Sequence, residues 1–264
     1  MEAEDKISLA DFELIAFDLD DTLTESKMPL DAEMSGLLAR LLDKKLVAVI
    51  SGASFNQLDK QFLGHLSATP DQLKNLYLLP TCGSALYYFQ DDWKLAYIDR
   101  LSPEEKDRIM KAFDSAFQEN NWKQPEKIYG DLIEDRESQI TFSGLGGDAP
   151  LELKAVWDPD HEKRESLAAV LRRELPEFSI GFGGGTSIDV TRQGVDKASG
   201  LRRLSDHLGM SLERFLYVGD ALYIGGNDDS VIQLEFLCID VDNIGTTKKL
   251  IGDLLTGGNV TVSY

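Results

Sequence analysis

Apolar and polar positions along this chain come in blocks. Leu14-Ile15-Ala16-Phe17 is an unbroken apolar run that stops at Asp18, the pattern of a short strand covered on both faces. From Asp31 to Leu42 the apolar residues Met34, Leu37, Leu38, Leu41 and Leu42 recur at helical spacing, and Asp31 is placed to cap that helix. Leu46 to Ile50 reads as a second buried strand. It runs into Ser51-Gly52-Ala53-Ser54, a helix over about 55–66 and a third apolar run at 76–79. This βαβαβ order predicts a parallel sheet with helices on both faces.

The middle of the chain changes character. Short two-sided strand patterns at 85–89, 94–98 and 139–142 mix with helical stretches at 103–119 and 161–174, as in an inserted α+β module. The earlier style resumes with a helix over 197–208, a strand over 215–218 that ends in Gly219-Asp220, and a strand over 236–239. The fold class is therefore α/β: a doubly wound, Rossmann-like core formed by residues 1–84 and 190–264, interrupted by an α+β insertion at 85–189. A chain of 264 residues, 42% hydrophobic and 28% charged, is long enough for two such units.

Charge narrows the partners. With 27 Lys+Arg against 46 Asp+Glu the net charge is −19, a poor field for nucleic-acid phosphates or an anionic membrane surface, so neither partner is expected. A small anionic substrate stays open if a local cation overrides the global sign. The acidic start, the lack of an apolar run near 18 residues and the two unpatterned cysteines, Cys82 and Cys238, predict a cytoplasmic setting.

In open parallel sheets ligands sit beyond the carboxyl ends of the strands, so the polar residues after each apolar run belong together. Here they are Asp18-Leu19-Asp20 after the first strand, Ser51 after the second, Gly219-Asp220 after a later one, and Lys197 at the start of a helix. Taken singly, each is an ordinary turn, cap or surface residue. Taken together, they supply a carboxylate that can attack an electrophile, a neighbour that can handle a proton, and a hydroxyl and an ammonium for anionic oxygens. Phosphorus is the natural electrophile. This many carboxylates would repel a phosphoryl group unless a divalent cation intervened, and hard oxygen ligands favour Mg2+, with Asp18 and Asp220 as its ligands. Two glycine-rich stretches read as structural: Gly144 to Gly147, because Pro150 follows and no long helix opens there, and Gly181 to Gly185, a turn or bulge between two short strand patterns.

These residues resemble the haloacid dehalogenase superfamily of phosphotransferases. Asp18-Leu19-Asp20-Asp21-Thr22-Leu23-Thr24 looks like its first motif, Ser51 its second, Lys197 its third, and Gly219-Asp220 with Gly225-Gly226-Asn227-Asp228 its fourth. The insertion looks like the α/β cap of the subgroup (IIB) that includes phosphosugar phosphatases and eukaryotic-type phosphomannomutases. The long spacing within the fourth motif is closest to the phosphomannomutase form.

The resemblance implies Asp18 as nucleophile, Asp20 as acid and base, Ser51 and Lys197 as phosphoryl-oxygen donors, and Asp18, Asp20 and Asp220 around Mg2+, with Asn227 and Asp228 in support. From the cap, Ser187 and Asp189 would meet a small phosphorylated sugar and Arg136 its distal phosphate, with Lys27 and Lys154 in place of two arginines. Gly147 falls where a further arginine is expected, and Asp21 where many members have glycine. The implied activity is interconversion of mannose 1-phosphate and mannose 6-phosphate through an aspartyl-phosphate, with a sugar-phosphate phosphatase as the alternative and a non-catalytic phosphosugar-binding protein behind it. A homodimer through the cap is also implied. A single-domain signalling receiver shares the acidic cluster but lacks the insertion.

Overall fold

The apolar runs become strands, and the amphipathic segments between them become helices. The computed structural model describes residues 5–183, 185–224, 226–234, 236–257 and 260–262. In chain order its first stretch holds β1 (Asp5–Ile7), β2 (Leu14–Phe17), α1 (Ala32–Leu42), β3 (Leu46–Ile50), α2 (Phe55–Gln61), α3 (Pro70–Leu73), β4 (Leu76–Leu79), β5 (Ala85–Phe89) and β6 (Trp93–Ile98). The middle adds α4 (Pro103–Glu119), β7 (Ile133–Asp135), β8 (Gln139–Ser143), α5 (Leu151–Trp157), α6 (Glu162–Glu174), β9 (Phe178–Gly183) and β10 (Ser187–Arg192). The last stretch holds α7 (Lys197–Leu208), β11 (Phe215–Gly219), α8 (Asp229–Ile232), β12 (Leu237–Asp240), α9 (Ile244–Leu255) and β13 (Val260–Val262). The chain divides into two compact units, one made of residues up to Ile98 and from Asp196 onward, the other of Asp99–Val195.

The first unit is built on a seven-stranded sheet in the order β12-β11-β2-β3-β4-β5-β6. Its first five strands are parallel, and β5 and β6 extend it as an antiparallel hairpin. Alternate residues of each strand bury on opposite faces. Ile15, Phe17, Val47, Val49, Leu216 and Val218 pack with α1 and α9 on one side; Leu14, Ala16, Ala48, Ile50, Phe215 and Tyr217 pack with α7 on the other. Burial on both faces is why these strands read as continuous apolar runs. Helix α1 starts where expected: the Asp31 side chain accepts from the Glu33 and Met34 amides, both at 3.0 Å.

The expected boundaries at 84/85 and 189/190 lie short of the observed breaks at 98/99 and 195/196. By pattern the stretch 85–98 belongs with the insertion, because its strands are two-sided. Instead β5 pairs with β4, and the Tyr87 ring stacks on Phe55 at 4.1 Å, which ties the hairpin to the core sheet. The expected helix over 55–66 ends at Gln61 and is followed by a 3-10 turn at Leu63–His65.

The second unit is a four-stranded antiparallel sheet in the order β7-β8-β10-β9. Ile140, Phe142, Ile188 and Val190 pack with Ile109 and Phe113 of α4 and Leu167 and Leu171 of α6. The alternate positions of β8 and β10, namely Gln139, Thr141, Ser143, Ser187, Asp189 and Thr191, are polar and belong to the opposite face. Gly144 to Gly147 form a turn after β8, and Gly181 to Gly185 span the end of β9 and the turn after it, with Gly184 outside the described residues. Among the described residues, no helix is long and apolar enough to cross a membrane.

Candidate active site

The carboxyl ends of β2, β3 and β11 lie side by side in the sheet, because β2 is flanked by β3 and β11. This places Asp18, Ser51 and Asp220 at one edge. Lys197 arrives from the other direction, as the first residue of α7. The Asp196 side chain caps that helix by accepting from the Ser199 amide at 2.7 Å, while Ser199 Oγ accepts from the Asp196 amide. Gly83 and Gly200 let α7 approach the turn before β5: a Cβ on Gly83 would lie 2.5 Å from the Gly200 Cα.

Lys197 is the hub. Its buried ammonium donates to Asp18 Oδ1 at 2.6 Å, Asp228 Oδ1 at 2.6 Å and Asn227 Oδ1 at 3.1 Å, which uses all three protons. Burial pulls its pKa down, but the charges of Asp18 and Asp228 together push it up further, so the net shift is upward. Asp18 is pushed up to about 7, chiefly by burial, with Lys197 opposing the rise and Asp228 adding to it. The second oxygen of Asp18, Oδ2, is buried and has no hydrogen-bond partner among the described residues. Such an orphan calls for a partner of its own.

Asp18, Asp220 and Asp228 each offer an oxygen, and the three lie within 4.8 Å of one another. Burial and the Asp228 charge raise the Asp220 pKa, and Thr22 Oγ1 donates to Asp220 Oδ1 at 3.3 Å. Asp20, expected beside Asp18 and Asp220, has side-chain partners of its own: its Oδ1 accepts from the Lys27 amide at 2.7 Å and from Gln61 Nε2 at 3.0 Å. Gln61 also donates to Thr24 Oγ1 at 2.9 Å, so it braces the loop that carries Asp20. Ser51 is buried at the end of β3, and its Oγ accepts from the Ala53 amide at 3.1 Å.

Asp21 has φ 60°, and its side chain accepts from the Ser26 amide at 3.2 Å. A left-handed residue in a tight loop is the physical reason glycine suits this position, and aspartate tolerates it.

A family model described as haloacid dehalogenase-like hydrolase matches residues 15–243. The chain belongs to the haloacid dehalogenase-like hydrolases. It is an enzyme of the phosphotransferase or phosphatase kind, and its sequence is phosphomannomutase-like. It is 28% identical over 256 residues to a phosphomannomutase of Triticum aestivum, covering 94% of this chain and 92% of the relative. It is 26% identical over 217 residues to Phosphomannomutase 2 of Dictyostelium discoideum, covering 80% of this chain and 83% of that one. Among solved structures, a haloacid dehalogenase-like hydrolase from Bacteroides thetaiotaomicron superposes with a TM-score of 0.60 at 16% identity, covering 91% and 92% of the two chains. An IMP-nucleotidase from Plasmodium falciparum superposes with a TM-score of 0.69 at 17% identity over 94% of this chain and 69% of that one. Both structures share the fold.

The other residues expected to serve this haloacid dehalogenase-like hydrolase are more scattered. In the second unit, Ser187 Oγ bonds Ser143 Oγ at 2.9 Å, and Asp189 Oδ1 accepts from Thr141 Oγ1 at 2.7 Å, so both sit in the polar face of the sheet. Arg136 donates through Nε and one terminal nitrogen to Glu134 Oε2, at 2.9 and 2.7 Å. Lys154 is buried, and its ammonium donates to the Gly147 carbonyl at 2.7 Å. In the first unit, the Lys27 side chain is exposed, and its backbone amide is what reaches Asp20. Gly225 of the fourth motif lies outside the described residues, while Asn227 and Asp228 both meet Lys197. Sequence reasoning missed Gln61 and Tyr217. Neither stands at a diagnostic spacing from a motif, and Gln61 is 41 residues from the aspartate it holds.

Proposed function

We propose that this chain is a Mg2+-dependent phosphoryl-transfer enzyme that acts on phosphorylated hexoses through an aspartyl-phosphate, interconverting mannose 1-phosphate and mannose 6-phosphate. Asp18 carries the reading: a buried carboxylate at a strand end, with one oxygen on Lys197 and the other without a donor among the described residues. In this mechanism Asp18 Oδ2 attacks phosphorus as the bond to the sugar oxygen breaks, and Asp20 gives that oxygen its proton. Asp20 then takes a proton from the next acceptor. Another sugar hydroxyl gives isomerisation, and water gives hydrolysis. Lys197 and Ser51 hold the non-bridging oxygens, whose charge builds in the transition state.

The donor set fits a hard divalent cation. Asp18, Asp220 and Asp228 offer only oxygen, and with the single ammonium of Lys197 they leave two negative charges. Asp18 and Asp220 are its ligands in this reading, and Asp228 is already shared by Lys197 and a tyrosine. When bound, Mg2+ supplies the neutralisation that lets a phosphoryl group approach these carboxylates.

The names of the relatives and the long spacing of the fourth motif support a hexose phosphate. Ser187, Asp189, Arg136, Lys154 and Lys27 are the candidate sugar and distal-phosphate contacts. A phosphosugar phosphatase is the second reading, favoured by a specific observation: Gly147 supplies no guanidinium, and the Lys154 ammonium is turned onto the Gly147 carbonyl. Phosphorus NMR with mannose 1-phosphate, Mg2+ and a trace of hexose bisphosphate separates the two. Mannose 6-phosphate supports the mutase, free phosphate alone supports the phosphatase, and no turnover of any phosphosugar sinks both. Light scattering tests the homodimer through the second unit.

A further inference from the structure

Tyr217 is a buried titratable group beside the site, and the mechanism above gives it no task. It lies on β11 with none of its surface exposed, and its hydroxyl donates to Asp228 Oδ1 at 2.5 Å. The same oxygen accepts from the Lys197 ammonium at 2.6 Å, and the Ala221 amide donates to Oδ2 at 3.3 Å. The pocket is shaped for this arrangement. A Cβ on Gly219 would lie 2.3 Å from Asp228 Oδ2 and 2.8 Å from the Tyr217 ring, so no side chain fits between them.

We infer that Tyr217 is a positioning residue for phosphoryl transfer: its hydroxyl, bonded to Asp228 Oδ1, keeps Lys197 shared between Asp228 and Asp18. This rests on the phosphotransfer reading. A carboxylate oxygen that accepts a second strong donor attracts the first less strongly, because its negative charge is divided between them. Lys197 has no spare proton, so it reaches a phosphoryl oxygen only by releasing an existing partner. Asn227 is the exposed partner and the most distant, at 3.1 Å, and is the one to be replaced. Without the phenol, Asp228 holds the ammonium more tightly, and the contact with Asp18 and with the incoming phosphoryl group weakens. Asp228 and Tyr217 then act on the chemistry through Lys197, with neither touching substrate.

Tyr217→Phe tests this, since it removes the hydroxyl and keeps the ring. With p-nitrophenyl phosphate and Mg2+ in excess, kcat should fall about tenfold while KM stays within about twofold, at urea concentrations far below both unfolding midpoints. An Asp228→Asn cycle adds a second reading: the double variant should be no slower than Asp228→Asn alone. A kcat within about twofold of the parent, or additive losses in the cycle, overturns the inference. If Tyr217→Phe does not fold, Asp228→Asn alone decides, and an unchanged kcat there rejects the route through Asp228. Crystal structures of parent and Tyr217→Phe address the contact without turnover. Lys197 Nζ drawn off Asp18 supports the inference, and an unmoved Nζ overturns it even if the parent turns over no ester. A parent inert on every phosphate ester overturns the phosphotransfer reading instead.

Discussion

Lys197→Met should expose how much of the core's stability depends on one buried ammonium. Methionine is unbranched like lysine, one heavy atom shorter, and fits an apolar surround, so the loss is mainly one of charge. Two bonds of 2.6 Å, to Asp18 and Asp228, disappear. The oxygens of these two aspartates lie within 4.8 Å of each other, where two carboxylates repel by about 3.5 kcal/mol at an effective dielectric near 20. Breaking a buried ion pair from one side costs about 3–5 kcal/mol, which agrees with that figure.

Protonation limits the penalty. Asp18 already sits at about 7 with the ammonium present, and without it the carboxyl moves higher still. A carboxyl whose folded pKa lies above its unfolded value contributes stability that is full below about pH 4 and is lost as pH rises to the folded pKa. In the parent that loss is complete near pH 7, whereas in the variant it continues upward at as much as about 1.4 kcal/mol per pH unit. The variant should therefore be about 3 kcal/mol less stable at about pH 9, with a smaller gap at about pH 6. Urea unfolding followed by far-UV circular dichroism in the presence of EDTA reads both values, with the slope m unchanged. Equal midpoints for parent and variant at the higher pH would falsify the reasoning, because they would mean that the two aspartates do not share a buried field.

Other outcomes follow from the same packing. A Cβ on Gly147 meets nothing within 4 Å, so Gly147→Arg should fold with a change under about 0.5 kcal/mol. It should also raise the ratio of mannose 6-phosphate to free phosphate in the NMR assay, and an unchanged ratio removes position 147 from the distal-phosphate clamp. Gln61→Ala frees one side of Asp20 and should slow sugar phosphates more than p-nitrophenyl phosphate, whose leaving group needs no proton; equal losses would place Gln61 outside proton transfer. In the second unit, Arg164 and Asp158 are both buried and bonded at 2.8 Å, so Asp158→Asn should cost that unit about 3 kcal/mol or more in urea. Glu105 is held at about 2, below its ordinary 4.5, chiefly by its hydrogen bond to Arg192. That bond stabilises the second unit fully above 4.5 and weakens as pH falls toward 2, a dependence that Glu105→Gln should flatten in acid titrations followed by circular dichroism.

Local periodicity made much of this protein legible from its sequence. The runs at 14–17, 46–50 and 76–79 became parallel strands because a strand buried on both faces has no polar position to offer. Asp31 capped α1 because the preference is set by a few neighbouring atoms. Parallel strands also present their carboxyl ends on one side, so the sequence alone groups Asp18, Ser51 and Asp220.

Tertiary structure decided which of these residues meet and through which atoms. Two-sided strands at 85–98 fit either unit by pattern, and pairing with β4 assigned them to the core. Asp20 and Asp228 are both acidic residues of recognisable motifs. Only the packed loops turn one toward Gln61 and the other toward Lys197 and Tyr217. Position in the chain marks Lys154 as a candidate phosphate contact, and the fold gives its ammonium the Gly147 carbonyl as a partner. Composition and spacing report which side chains are present and near which element they fall. A side chain's partner depends on long-range contacts such as those joining Asp18 to Lys197 across 179 residues, and these exist only once the chain has packed.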